Sequence, residues 1–243
     1  MTQPTIVVLD GHSLNPGDLS WESMQALGTV VVHDRTPASL VVERTRGAAI
    51  ALTNKTPIGP GDFEQLPGLR YIGVLATGFN IVDVAAAKKH GVIVTNIPTY
   101  GTDSVAQFAF ALLLELCHRT ARHGEFSRSG EWSRNPDWSG YQGRVIELAG
   151  KTLGVVGLGR IGRRTAEIGA AFGMQVVAYD AVTTHAPALP NFQWTDLDTL
   201  LRQSDVVSLH CPLTPETSGL INRERLGWMK RDAFLLNTSR GPL

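Results

Sequence analysis

Cysteine is scarce in this sequence: two in 243 residues, Cys117 and Cys211, each among apolar neighbours. Two thiols cannot build the multi-bridge framework of a small secreted domain, and their surroundings suit a reduced, cytoplasmic setting. There is no excess charge of either sign, with Lys+Arg at 22 and Asp+Glu at 22. The basic surplus that a phosphate backbone demands is therefore missing, which argues against a nucleic-acid partner. Long hydrophobic runs are missing too. Stretches such as residues 108–114 fall well short of the ~20 residues that cross a bilayer, so no membrane partner is expected. The opening MTQPTIVVLDGHS has no charged region followed by an apolar core and a small-residue cleavage site, and so does not read as a signal peptide. What is plentiful is glycine, 25 residues, alongside 13 prolines, as in α/β folds with many tight turns. The length allows one large domain or two small ones.

Short β-branched runs alternate with helical patterns from the start. Strands are expected at 6–10, 30–33, 48–53, 69–75 and 92–96, with helices near 21–27, 38–45, 62–65 and 81–90. Such alternation predicts parallel βαβ units with helices on both sheet faces. A longer helix is expected from Ser104 to about His123, with Thr102 and Asp103 as candidate N-caps and Phe108, Leu112 and Leu116 on its buried face. Residues 124–143 show no clear period and carry Trp132 and Trp138, which suit either a subunit contact or the protein's own surface. From Lys151 the alternation restarts. Strands are expected at 152–156, 176–180, 192–194, 206–210 and 233–237, and helices at 160–172, 197–203 and 223–229.

The segment TLGVVGLGRIGRRTAEIGAAFGMQVVAYD carries the most chemistry. Gly157, Gly159 and Gly162 form G-x-G-x-x-G directly after a strand and at the opening of a helix. The first glycine permits the tight turn, the second lets backbone approach a pyrophosphate, and the third lets helix pack on strand. The helix then offers free N–H groups and the positive end of its dipole to the phosphates. Asp180 closes the next strand 18 residues after Gly162, at a spacing that fits an acid bonding the adenosine ribose hydroxyls. A carboxylate there would repel a 2′-phosphate, which favours NAD over NADP. On these features alone a Gly-rich turn without ligand, or a nucleotide-like ligand such as S-adenosylmethionine, stays open.

Two further turns follow strands: one runs through His210, Cys211 and Pro212, the other through Thr238, Ser239, Arg240 and Gly241. Ligands of doubly wound sheets bind at strand C-termini. Arg240 is either a solvated surface cation or a fork that grips a carboxylate through two parallel N–H···O bonds. In the N-terminal half, YIGVLATGFNIVD ends another strand in a glycine turn. Thr77 and Gly78 there form either a plain turn or a small anion nest of successive N–H groups.

Together these segments resemble the D-isomer-specific 2-hydroxyacid dehydrogenase family over essentially the whole chain. The correspondence runs through ATGFNIVD, NIPTYGTDSVAQFAFALLLEL, GVVGLGRIG with Asp180, LHCPLTPETSGLIN and LNTSRGPL, in that order. In detail the TGFN and YGTDSVAQ segments are similar to the glycerate dehydrogenase (hydroxypyruvate reductase) branch. The resemblance implies a flavodoxin-like substrate-binding domain over residues 1–100. It implies a Rossmann NAD-binding domain over 101–243, with a linking helix and a dimerisation excursion. It places Gly159, Arg160 and Ile161 along the pyrophosphate, Asp180 on the ribose, and His210, Pro212 and Thr217 beside the adenine. Thr238 and Ser239 run beside the nicotinamide. Ala76, Thr77 and Gly78 receive the substrate carboxylate, and Arg240 is the catalytic arginine that polarises the 2-oxo acid. The implied activity is NAD-dependent interconversion of a D-2-hydroxy acid and a 2-oxo acid by a homodimer, with glycerate/hydroxypyruvate or glycolate/glyoxylate as substrate. No metal is implied.

The family's proton donor is a His oriented by a Glu, both downstream of the NTSRG turn. This sequence ends at Leu243, and His12, His33, His90, His118, His123 and His185 lie outside the matching motifs, while His210 falls at a cofactor position. Five strands from Lys151 onward also leave the Rossmann sheet incomplete. The sequence therefore reads as an enzyme cut before its acid/base pair, with catalysis expected only of a longer chain. The alternative is a non-enzymatic, corepressor-like NAD-binding module.

Overall fold

Short runs of Val, Ile, Leu and Thr become the strands of two parallel sheets in the computed structural model, which describes residues 3–15 and 17–243. The chain divides into two compact units, the first ending at Tyr100 and the second running Gly101–Leu243.

The first unit holds β1 (Thr5–Val8), β2 (Thr29–Val32), β3 (Ile50–Thr53), β4 (Tyr71–Val74) and β5 (Ile93–Thr95), in the order β2-β1-β3-β4-β5 and all parallel. This is the flavodoxin-like order. Its helices are α1 (Glu22–Gln25), α2 (Val41–Thr45), α3 (Pro60–Glu64) and α4 (Val84–Lys89). A parallel sheet buries both faces, so its strands are apolar throughout rather than alternating. Accordingly Ile6 and Val8 pack with Leu52, Trp21 and Met24 on one face, and Val7 and Leu9 with Phe63 and Ile72 on the other.

Several boundaries differ from the sequence expectation for local reasons. α4 begins at Val84 rather than near Ile81 because Asp83 caps it, its carboxylate accepting the Ala86 N–H at 2.8 Å. The helix expected over 38–45 splits into a 3₁₀ turn, Ala38–Leu40, and α2. β1 stops at Val8, because Asp10, only 4% exposed, turns its carboxylate onto the backbone N–H groups of Asn54 and Thr56, each at 2.9 Å, and of Lys55. Strand order reverses between β1 and β3, and there the chain's own carboxylate is bound.

The second unit contains α5 (Thr102–His118), α6 (Thr120–Arg128), α7 (Glu131–Arg134), β6 (Thr152–Val156), α8 (Arg160–Ala171), β7 (Gln175–Tyr179), β8 (Phe192–Trp194), α9 (Leu197–Gln203), β9 (Val206–Leu209), α10 (Arg223–Trp228) and β10 (Phe234–Asn237). Its sheet order is β10-β9-β6-β7-β8, again all parallel, which is the Rossmann arrangement with its switch point between β6 and β9. Leu153 and Val155 pack under α5 and α8, while Val156, Val177 and Val207 pack against Leu200 and Leu201 of α9.

The long helix departs most from expectation. Gly101 takes the N-cap position, with Thr102 and Asp103 inside the first turn, where Asp103 pairs with Arg164 at 2.8 Å. The helix ends at His118, since Arg119 adopts a left-handed conformation at φ 51°. The face expected to be buried is exposed: Phe108 is 58%, Leu112 37% and Leu116 46% accessible. Ala106, Ala109, Phe110, Leu113 and Cys117 are buried instead. Two alanines on that face let α5 approach α8 closely, where Phe110 lies near Gly169. The stretch 124–143 is not irregular throughout, since α6 and α7 occupy its first half. Among the described residues, no helix is long and apolar enough to cross a membrane.

Candidate functional site

The residues singled out in the second unit converge on the C-terminal ends of β6, β7, β9 and β10. Gly157 follows β6 with φ +91°, a conformation that side chains with a Cβ resist. A Cβ there would stand 2.5 Å from the Cys211 nitrogen, so β6 and the turn after β9 meet at the switch point with room for hydrogen only. Gly162 lies in the first turn of α8, and a Cβ on it would overlap the Gly157 carbonyl oxygen. At Gly159, the N-cap of α8, a Cβ would meet nothing within 4 Å. Two glycines thus serve packing, and the middle one borders open space at a helix N-terminus with no side-chain cap.

Asp180 sits just past β7 and is half-buried. One carboxylate oxygen accepts the Leu158 N–H at 2.5 Å, and the other accepts the Val182 N–H at 3.1 Å. The acid is thereby tied to the glycine loop itself. Arg163 on α8 donates to the His185 carbonyl, holding the loop after β7 against the helix; this residue carried no signal in the motif.

The two other turns are closed by their own side chains. His210 Nε2 lies 2.8 Å from the Ser208 hydroxyl, and burial pushes the imidazole pKa down to about 4. It is neutral at physiological pH. The Thr217 hydroxyl donates to the Pro212 carbonyl at 2.7 Å and accepts the Thr214 N–H at 2.7 Å, which holds the 212–217 turn. Burial, and then the negative charge of Asp180, raise the Cys211 thiol pKa, keeping it protonated beside the glycine loop. After β10, Asn237 accepts the Ser239 N–H at 3.0 Å and donates to the Arg240 carbonyl at 2.9 Å. The Ser239 hydroxyl reaches the Leu209 carbonyl at 3.0 Å, joining this turn to β9. The buried Thr238 hydroxyl has no hydrogen-bond partner among the described residues.

An open approach at Gly159, an uncapped helix N-terminus, an acid at the second strand and an orphaned hydroxyl beside β10 together fit a dinucleotide. The donor set at the start of α8 suits phosphates.

In the first unit, Ala76, Thr77 and Gly78 follow β4. Ala76 is buried, Thr77 exposed and Gly78 half-buried. The Ala76 carbonyl accepts the Ile97 N–H at 3.1 Å, and the Thr77 carbonyl accepts the Asn96 side-chain amide at 2.8 Å. Among the described residues, the N–H groups of Thr77 and Gly78 have no acceptor. Sequence reasoning passed over Asn96; its one signal is its place beside a residue that precedes proline.

Known proteins similar to this chain include hydroxy-acid dehydrogenases and reductases. The sequence profile described as "D-isomer specific 2-hydroxyacid dehydrogenase, NAD binding domain" matches residues 110–243. A hydroxypyruvate reductase of Blautia hydrogenotrophica is 52% identical over 241 residues, covering 98% of this chain and 75% of that protein. A glycerate dehydrogenase of Methylorubrum extorquens is 39% identical over 203 residues, 84% of this chain and 62% of that protein. The chain thus spans between about three fifths and three quarters of these curated relatives. Among solved structures, a D-lactate dehydrogenase from Aquifex aeolicus complexed with NAD and lactic acid matches with a TM-score of 0.83 and 31% identity, over 98% of this chain and 69% of that one.

Proposed function

The chain belongs to the D-isomer specific 2-hydroxyacid dehydrogenase family, and we propose that it interconverts a D-2-hydroxy acid and a 2-oxo acid with NAD. Glycerate/hydroxypyruvate or glycolate/glyoxylate is the substrate pair on this reading. The observation that carries it is the glycine loop: Gly157 and Gly162 packed to contact, Gly159 open, and Asp180 bonded into the loop.

Each residue then has a task. Gly159, Arg160 and Ile161 present the start of α8 to a pyrophosphate, where N–H groups and the helix dipole favour negative charge. Asp180 keeps lone pairs for ribose hydroxyls after bonding Leu158 and Val182. His210, Pro212 and Thr217 wall the adenine side, and Thr238 and Ser239 border the nicotinamide. When bound, the cofactor supplies the hydride for the oxo acid or takes it back from the hydroxy acid. The Ala76–Gly78 turn takes the substrate carboxylate on its N–H groups. Arg240 holds its guanidinium at the C2 oxygen and stabilises the negative charge that grows there, an effect worth several kcal/mol in a dry site. Neutral, half-buried His210 serves the fold and the cofactor wall rather than proton transfer.

The chain acts as a homodimer on this reading, supported by the exposed stripe Phe108–Leu112–Leu116 and by Trp138, which is 92% accessible. Its setting is the cytoplasm, where the free thiols of Cys117 and Cys211 stay reduced.

The test is NADH oxidation with hydroxypyruvate, glyoxylate and a simple ketone, by the chain in a longer form that carries the family's His and Glu. Turnover of both oxo acids and not of the ketone is expected. Tight NADH binding with no turnover of any oxo acid would instead identify a cofactor-binding module.

A further inference from the structure

The turn after β4 owes its shape to a neighbour that no motif marks. A trans peptide points its carbonyl and its N–H in opposite directions. The Ala76–Thr77 peptide has its carbonyl fixed by the Ile97 N–H at 3.1 Å. The Thr77–Gly78 peptide has its carbonyl fixed by the Asn96 side-chain amide at 2.8 Å. Both carbonyls are therefore turned toward the segment after β5, and the N–H groups of Thr77 and Gly78 are both turned away from it. Neither N–H finds an acceptor among the described residues. Two successive amides aimed the same way and left unsatisfied form an anion nest.

Ile97 holds its half of this backing by main chain alone. It precedes Pro98, which biases it to extended backbone. The other half depends on one side chain. We propose that Asn96 is a positioning residue for the substrate carboxylate: by holding the Thr77 carbonyl it aims the Gly78 N–H into the nest. The proposal rests on the reading that this turn receives the carboxylate, and it adds the residue that sets the nest's geometry. Asn96 touches neither substrate nor cofactor in this role.

A carboxylate is held alike in the ground state and in the transition state, so loosening the nest acts on KM and leaves kcat in place. Losing one neutral hydrogen bond corresponds to roughly a two- to tenfold change. The experiment compares the native protein, in a longer form that carries the family's His and Glu, with its Asn96→Leu variant, of similar shape but without a donor, in NADH oxidation with hydroxypyruvate and with its methyl ester. The expected result is a two- to tenfold rise in KM for hydroxypyruvate, with kcat, NADH affinity and kcat/KM for the ester unchanged. Asn96→Gln, which keeps an amide, should recover part of the loss, and Asn96→Ala serves if the leucine variant does not fold. A parallel titration of oxalate into ¹⁵N-labelled chain reads the same site without turnover. The Thr77 and Gly78 amides should shift, with a midpoint two- to tenfold higher in Asn96→Leu. An unchanged KM and midpoint in the variant would overturn the role of Asn96 alone. Equal kcat/KM for acid and ester in the native chain, or oxalate leaving both amides unmoved, would overturn the nest and the proposal with it.

Discussion

The carboxylate of Asp180 accepts the Leu158 N–H at 2.5 Å, so the acid at the end of β7 and the middle of the glycine loop form one rigid piece. Asp180 shapes the loop, and on the proposed reading it also meets the ribose; two substitutions separate the two roles. Asp180→Ala removes both and should raise the NADH dissociation constant about tenfold or more, since hydrogen bonds to a charged group are worth about 1.5–3 kcal/mol. Asp180→Asn keeps an acceptor for Leu158 and should lose less. Both should narrow the preference for NADH over NADPH, because the repulsion of a 2′-phosphate goes with the charge. Fluorescence titrations with the two cofactors measure this, and unchanged selectivity in both variants would sink the ribose assignment.

The glycines predict a dissociation between stability and binding. Gly159→Ala introduces a methyl group that meets nothing within 4 Å, so the unfolding midpoint should hold while cofactor affinity falls, the methyl standing where the pyrophosphate must approach. Gly162→Ala should do the reverse. Its methyl group overlaps the Gly157 carbonyl oxygen, and the cost of several kcal/mol should be visible in urea denaturation without any ligand. A destabilised Gly159→Ala, or a Gly162→Ala as stable as the native chain, would contradict this division of roles.

Which parts were legible in the sequence follows the same physics. The glycine loop and Asp180 were readable because only glycine tolerates φ +91° at Gly157 and the contact at Gly162, so the requirement is written in residue type. Strands were readable because parallel sheets need apolar runs, and their ends were misplaced where a side chain intervenes, as Asp10 does after β1. The buried face of α5 was misread because the helix is apolar on more than one side. Phe108, Leu112 and Leu116 form one apolar stripe and residues 106, 109, 110, 113 and 117 another, and the small Ala106 and Ala109 of the second permit close approach to α8. The break at Arg119 had no glycine or proline to announce it. Asn96 was invisible because its partner is a carbonyl, and a carbonyl occurs at every residue.

Arg240 sits in a turn closed on both sides of Ser239 by the Asn237 side chain, which fixes the direction in which its backbone leaves β10. In a longer form that carries the family's His and Glu, Arg240→Ala should lower kcat/KM for hydroxypyruvate by about a hundredfold or more while NADH affinity holds, the usual cost of removing one charge-stabilising donor. Arg240→Lys should recover only part, since an ammonium lacks the planar fork. Native-level turnover in either variant would remove Arg240 from the chemistry.

The stripe Phe108–Leu112–Leu116 predicts an oligomer. Leu112→Glu places a charge in the middle of that apolar face. Covering one large apolar side chain is worth about 1.5–3 kcal/mol, so the dimer dissociation constant should rise by at least tenfold. Sedimentation velocity across a dilution series measures it. A native chain that sediments as a monomer at every concentration would end this assignment.

His210 makes stability depend on pH in a definite direction. Burial holds its imidazole pKa at about 4, against 6.5 for the free side chain. Between those values the unfolded chain binds a proton that the folded chain refuses, so folding loses ground as pH falls. The contribution is fully present above 6.5 and is lost as pH drops toward 4, a difference of about 3 kcal/mol across the window. Carboxylates titrate in the same range, so the native curve alone does not isolate the histidine. His210→Gln keeps a polar group near the Ser208 hydroxyl, which lies 2.8 Å from the imidazole, and cannot take up the proton. Urea denaturation of both proteins at pH 7 and pH 4.5 should therefore give a native chain that loses about 2–3 kcal/mol more than the variant. Equal losses would mean that the imidazole is solvated enough to titrate normally.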